Sequence, residues 1–235
     1  MNIPAFVIGL SQIPSSAESS KRVVQALEDF GIHAQHWEGT YGNDAIELFK
    51  RLGREIQPTS FKGNPIDADY IKSCSRPGVM GCFHSHYRLW QHCVDLDTNI
   101  LIFEDDVIFE RGFEPVEWTD VLLVATGKSV HTHEFYSEKL YSPSGDPAAV
   151  GFKGKVMPGA VGYGLTPAGA TKLVTQYSRY YLPADNAMNA TVVELQCHNY
   201  LMGRAAIDVD GKKSLTKTSM WHKMLKRSAN TAQSG

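Results

Sequence analysis

Three consecutive carboxylates, Glu104-Asp105-Asp106, follow directly on the apolar run Ile100-Leu101-Ile102-Phe103. In open α/β sheets ligands bind at the carboxyl ends of strands, so an apolar strand that empties into acids marks a candidate site. Adjacent acids repel one another, and a divalent cation is the natural physical relief. Spacing two apart puts Glu104 and Asp106 on one side of an extended segment, an acid-x-acid arrangement, with Asp105 pointing elsewhere. One or two carboxylates plus substrate phosphates suit Mn²⁺ or Mg²⁺, which with a nucleoside diphosphate would neutralise charge on a departing phosphate. A solvated acidic turn is the competing account of so short a motif.

Other residues could join such a site. Ser85 and His86 fall in the N-terminal half of an expected helix, where backbone N–H groups favour phosphate, so both are candidates for binding a donor alongside Glu104 and Asp105. A packed, hydrogen-bonded core role competes for His86. His198, in Cys197-His198-Asn199, is a candidate to complete a metal shell with Glu104 and Asp106, although a single histidine is weak support for a metal. His131 and His133 lack a third ligand and read as surface residues. The four cysteines, Cys74, Cys82, Cys93 and Cys197, form no C-x-x-C pair and read as buried thiols.

The elements that must position these residues follow from periodicity. Ala5–Leu10 reads as a buried opening strand, Val23, Val24, Leu27 and Phe30 mark a helix closed by Gly31, and Ile32–Trp37 is a second strand. This β-α-β opening favours a parallel sheet. Asp44–Leu52 is predicted helical, Gly53–Ser75 a loop insertion, and Pro77 to about Asp95 a helix with Phe83, Tyr87, Trp90 and Val94 on one face. Strands are expected at 100–103, 121–124 and Ala160–Leu165, with 131–155 loop-like. Helices are expected from Pro167 to Tyr177 and from Asp185 to Leu195.

Composition is that of an ordinary globular chain, 43% hydrophobic and 20% charged over 235 residues. No apolar run reaches membrane-spanning length and Met1–Leu10 lacks a secretory pattern, so the expectation is a soluble, cytoplasmic protein. Six basic residues from Lys212 onward (Lys212, Lys213, Lys217, Lys223, Lys226, Arg227) face no acid, leaving 17 basic against 25 acidic on the body. Residues 212–235 therefore read as a basic tail on a single domain, 1–211. Such a tail can meet nucleotide phosphates, anionic lipid or nucleic acid.

The stretch Pro77-Gly78-Val79-Met80-Gly81-Cys82-Phe83-His84-Ser85-His86-Tyr87-Arg88-Leu89-Trp90, followed by Leu101-Ile102-Phe103-Glu104-Asp105-Asp106, resembles the signature of glycosyltransferase family 25, with its lipooligosaccharide and collagen galactosyltransferases. Residues 159–170 and Leu182-Pro183-Ala184-Asp185 resemble that family's glycine–tyrosine strand, Gly-Ala helix and Pro-x-Asp element. The resemblance covers about residues 3–37 and 77–195, the first part weakly. It implies a GT-A-like, Rossmann-type α/β fold with a mainly parallel central sheet, a nucleotide-sugar donor, metal dependence and inversion at the anomeric carbon. An Arg-Arg type pair expected near the end of the first strand is absent, with Ser15-Ser16 and Lys21-Arg22 instead. Inverting transfer needs a general base near the acceptor hydroxyl, and the Pro-x-Asp element makes Asp185 the catalytic candidate, against a plain helix-capping role.

Three functions follow as expectations. The first is transfer of a hexose from a uridine diphosphate sugar to a glycan such as lipooligosaccharide, the tail docking peripherally on anionic lipid. The second keeps the transfer but has a viral enzyme, in the host cytoplasm, modify a hydroxylated base in DNA, with the tail on phosphates. The third is a non-enzymatic carbohydrate- or nucleotide-binding module with a structural cation.

Overall fold

The computed structural model describes residues 3–59, 65–127, 146–152, 155–157, 159 and 161–205. The chain opens as its periodicity requires. Strand β1 (Ala5–Gly9) is buried, and helix α1 (Pro14–Asp29) starts on a proline at its first turn, where the missing N–H costs nothing. Ser16, Ser20, Val23 and Leu27 form its buried stripe, and Gly31 ends it at φ 74°, a conformation glycine adopts without a Cβ penalty. Strand β2 (Ala34–Glu38) and helix α2 (Gly42–Leu52) follow. Asp44 in the first turn of α2 and Lys50 and Arg51 in its last complement the helix dipole.

The expected loop insertion after Gly53 is more structured than its sequence suggested. It holds strand β3 (Glu55–Ile56) and helix α3 (Ala68–Cys74), whose N-cap Asp67 accepts a hydrogen bond from the Tyr70 backbone N–H at 2.7 Å. Helix α4 (Pro77–Leu96) is the spine of the site and begins at the proline from which it was expected. Strands β4 (Ile100–Glu104), β5 (Val107–Phe109), β6 (Val121–Thr126), β7 (Ala149–Gly151) and β8 (Gly162–Leu165) precede helix α5 (Pro167–Gln176). Strand β9 (Tyr180–Tyr181), the short helix α6 (Ala184–Ala187), β10 (Leu195–His198) and β11 (Gly203–Ala205) complete the described chain.

The main sheet runs β2-β1-β4-β8-β6-β10-β7, with β11 joining β6 to β5, and β3 pairs separately with β9. It is mixed, not mainly parallel. Strands β2, β1 and β4 are parallel, but β8 is antiparallel to both β4 and β6, and β7 to β10. The β-α-β opening predicted the first three strands correctly and said nothing of β8, which is inserted from later in the chain. Because β8 reverses twice, β6 and β10 run in the same direction as β4. The carboxyl ends of β2, β1, β4, β6, β10 and β11 therefore share one edge.

Alternation along the strands splits the core in two. Phe6, Ile100, Ile102, Val121, Leu123, Tyr163 and Leu165 pack with Phe83, Leu89 and Trp90 of α4 and Leu173 of α5. Ala5, Val7, Leu101, Phe103, Leu122 and Val124 pack on the other face with Val23 and Leu27 of α1. Gly162 has no room for a side chain, because a Cβ there would stand 2.6 Å from the Phe103 ring.

The helix expected over Asp185–Leu195 is a correction. Only Ala184–Ala187 is helical, and Leu195–His198 is a sheet strand parallel to β6. Asn189 turns the chain: its amide donates to the carbonyls of Asn186 and Ala187, while its Oδ1 accepts the Thr191 N–H at 3.1 Å. The β-branched run Thr191-Val192-Val193 then disfavours helix. No described helix is long and apolar enough to cross a membrane. The loop-like segment's 128–145, with His131 and His133, and the basic tail 212–235 lie outside the described residues.

Candidate active site

Strand β4 delivers Glu104 to the shared edge, where its backbone N–H donates to the Val161 carbonyl at 2.9 Å at the entrance to β8. The side chain, 34% exposed, meets two residues of α4. The Cys82 thiol lies 3.9 Å and His86 Nε2 3.4 Å from Glu104 Oε1. Cys82 and His86 are four apart, which places them on one helix face.

His86 is held from behind. Its Nδ1 is 2.8 Å from the Tyr163 hydroxyl, which also lies 2.9 Å from Trp90 Nε1. An indole can only donate, so the phenol oxygen accepts from Trp90 and has its own hydrogen to give. In the arrangement that satisfies both, Tyr163 donates to His86 Nδ1, and Nε2–H faces Glu104. A buried chain of donors thus runs from Trp90 through Tyr163 and His86 to a partly exposed carboxylate.

Asp185 enters from α6, one position inside the helix, whose N-cap is Pro183 and not the aspartate. Burial pushes its carboxyl up to about 6, against the backbone N–H groups of Gly159 and Asn186. The charge of Glu104 pushes it further up and His86 draws it down. The Cys82 thiol is held well above its ordinary value by burial first, then by Glu104, Asp185 and Asp106. Three carboxylates, from β4, the turn after it and α6, therefore act on one sulfur. Among the described residues, His86 is the ion-pair partner of Glu104, and no lysine or arginine bridges Glu104 or Asp185.

Asp105 turns the other way. Its carboxylate accepts from the Ser16 hydroxyl in the first turn of α1, where the helix dipole favours a negative charge. Burial raises its pKa, with the Ser16 bond opposing. Ser16 also accepts the Leu10 N–H at 2.8 Å, so this carboxylate ties the end of β1 to the end of β4.

Ser85, 2% exposed, is a clamp within the protein. Its hydroxyl donates to the Gly81 carbonyl at 2.7 Å and accepts the Thr40 N–H at 2.8 Å, pinning α4 to the loop after β2. Gly81 permits that approach, because a Cβ there would sit 2.4 Å from the Thr40 carbonyl oxygen. His198 is likewise committed: Nε2 donates to the Glu114 carbonyl at 2.7 Å and Nδ1 accepts the Tyr200 N–H at 2.9 Å. Both ring nitrogens are thereby used, and burial holds its pKa low. His198 thus joins the Glu114 and Tyr200 segments.

Sequence reasoning missed Cys82 and Tyr163. Cys82 carried a usable signal, its i, i+4 relation to His86 on a helix it correctly expected. Tyr163 carried only the resemblance of residues 159–170 to a glycine–tyrosine strand, because its partners depend on β8 lying beside β4.

The fold and site define an α/β protein with a carboxylate cluster at the carboxyl edge of its sheet. Residues 76–139, which contain α4 and the acidic triplet, match the family described as glycosyltransferase family 25 (LPS biosynthesis protein). The rat protein described as probable inactive glycosyltransferase 25 family member 3 is 28% identical over 187 residues, 77% of this chain and 31% of its own length. The Drosophila melanogaster glycosyltransferase 25 family member is 26% identical over 175 residues, 72% of this chain and 27% of its own. Mouse xyloside xylosyltransferase 1 in its apo form is a structural match at 12% identity and TM-score 0.31, covering 80% of this chain and 81% of that one. Residues 76–139 thus resemble glycosyltransferase family 25, and most of the chain is similar at 26–28% identity to proteins described as its members. The chain spans about three tenths of the length of the curated relatives it matches.

Proposed function

We propose that this chain is a GT-A-like, metal-dependent, inverting glycosyltransferase that moves a hexose from a nucleotide sugar, with uridine diphosphate as carrier, to a glycan acceptor such as lipooligosaccharide. The observation that carries the proposal is that Glu104, Asp106 and Asp185 all act on the half-buried Cys82 sulfur at the carboxyl edge of the sheet. The similarity to this family supports the reaction class, and although some relatives are described as inactive, Glu104, Asp106 and Asp185 all act on one sulfur in this chain.

Oxygen donors from Glu104 and Asp106 suit Mn²⁺ or Mg²⁺, which would supply charge neutralisation for a departing diphosphate. Asp185 is the general base: a carboxyl poised at about 6 is ionised at neutral pH yet remains a competent proton acceptor. It takes the acceptor hydroxyl's proton as that oxygen attacks the anomeric carbon from the face opposite the leaving diphosphate. His86 and Tyr163 orient Glu104, and Asp105 and Ser85 hold the β1, β4 and α4 ends of the site in register. The tail at 212–235 is proposed to make peripheral contact with anionic surfaces.

The test is a panel of uridine, guanosine and cytidine diphosphate sugars with Mn²⁺ present or chelated, read by thermal stabilisation and slow donor hydrolysis. A metal-dependent response to one donor is expected. A flat panel with folded protein moves the reading to a non-catalytic binding module.

A further inference from the structure

We infer that Cys82, His86 and Glu104 form a binding site for a thiophilic divalent ion of the zinc class. One sulfur, one imidazole nitrogen and one carboxylate oxygen lie within 4.8 Å of one another, two of them from successive turns of a single rigid helix. Around a tetrahedral zinc, with Zn–S about 2.3 Å and Zn–N or Zn–O about 2.0–2.1 Å, donor atoms stand roughly 3.5 Å apart. The sulfur and nitrogen lie 3.9 and 3.4 Å from Glu104 Oε1, long for hydrogen bonds to a carboxylate but close to the spacing of ligands with a cation between them.

The donor set decides the class of ion. Magnesium and manganese prefer oxygen, whereas a thiolate with an imidazole selects zinc, cobalt or cadmium. Binding converts the Cys82 thiol to a thiolate, its proton leaving to solvent. His86 must present the Nε2 lone pair, so its proton moves to Nδ1 and is donated to Tyr163, the outer hydrogen bond that metal-bound histidines make. The phenol oxygen has two lone pairs, one already holding the Trp90 N–H and one free for His86. Trp90, Tyr163 and His86 thus support both hydrogen-bond directions. The fourth ligand is water or one of the acids around the sulfur. Since Glu104 belongs to both sites, a zinc-class ion and the donor's metal exclude each other; this consequence rests on the proposed transferase reading, the ion site itself does not.

The experiment is titration of Co²⁺ into the tag-free full chain after chelator treatment, with no sugar donor present. A sulfur-to-cobalt charge-transfer absorption should saturate at one equivalent and bleach on adding Zn²⁺. It should vanish in Cys82→Ser, persist in Cys93→Ser and Cys197→Ser, and require at least about tenfold more cobalt in Glu104→Gln. Circular dichroism confirms that each variant is folded. Absence of the band in the wild type, or its survival in Cys82→Ser, overturns the site. The donor panel is read independently, so failure of either proposal leaves the other standing.

Discussion

Asp120 and Glu104 sit at opposite edges of the same sheet, one just before β6 and the other at the end of β4, and the chain surrounds them in opposite ways. Asp120 is fully buried, and its carboxylate is answered from within: Lys172 approaches at 2.9 and 2.6 Å and the Glu194 N–H at 2.7 Å. Glu104 remains partly exposed, faces Asp185 and Asp106 across a thiol, and has a long contact to one histidine. The first carboxylate completes an internal network that locks α5 and β10 to β6. The second, among the described residues, has no lysine or arginine bridging it. A buried acid that serves the fold is satisfied by the fold, and one that serves a ligand is satisfied by the ligand.

Substitutions at the two edges should therefore have opposite signatures. Asp106→Asn should lower metal-dependent turnover by at least about a hundredfold, the scale of losing an electrostatic group at a reacting centre. Its melting temperature should hold or rise, because one of three mutually repelling acids is gone. An unchanged donor affinity with Mn²⁺ would remove the metal assignment. Asp120→Ala should do the reverse, costing on the order of 1–3 kcal/mol in urea unfolding by leaving the Glu194 N–H and Lys172 without their acceptor. Transfer measured on the folded protein should stay near the wild-type rate.

The pH response sharpens the contrast. The Asp185 pKa is raised to about 6 in the fold, above its unfolded value near 3.9. The native state thus binds its proton more tightly, and this contribution to stability is full below about 4 and lost as pH rises through 6. Activity should run the other way, rising through about pH 6 as the base ionises. Asp185→Asn should flatten the stability slope and abolish transfer; a stability slope that survives it assigns the titration elsewhere. The smallest effect is expected at Ser85→Ala, about 1 kcal/mol from a lost clamp, with donor KM unchanged. A raised KM at unchanged stability would return Ser85 to the donor.

Much of this was legible in the residues. Local periodicity located β1, α1, β4, α4, β6 and α5, since each carries its own apolar pattern and most begin at a proline or close at a glycine. The acidic triplet was legible because a strand end is a local event. What stayed hidden was non-local. The mixed sheet depends on β8 pairing with β4 across some sixty residues of chain. The commitments of Ser85, to a loop after β2, and of His198, to Glu114, are likewise set by partners that no spacing rule connects. The missed turn at Asn189 shows the same limit at short range, where one side chain's amide outweighed a helical pattern.

The insertion of β8 between β4 and β6 also sets an order of assembly. The acids of β4 emerge early in synthesis, but the strand that carries Tyr163, the Gly159 N–H and the helix bearing Asp185 come later. A growing chain that has produced Glu104 still lacks the wall that gives this carboxylate its surroundings. The site is therefore complete only once β8 lies between two strands that precede it in the chain, and a chain truncated before β8 offers a passing ion little more than an ordinary acidic turn.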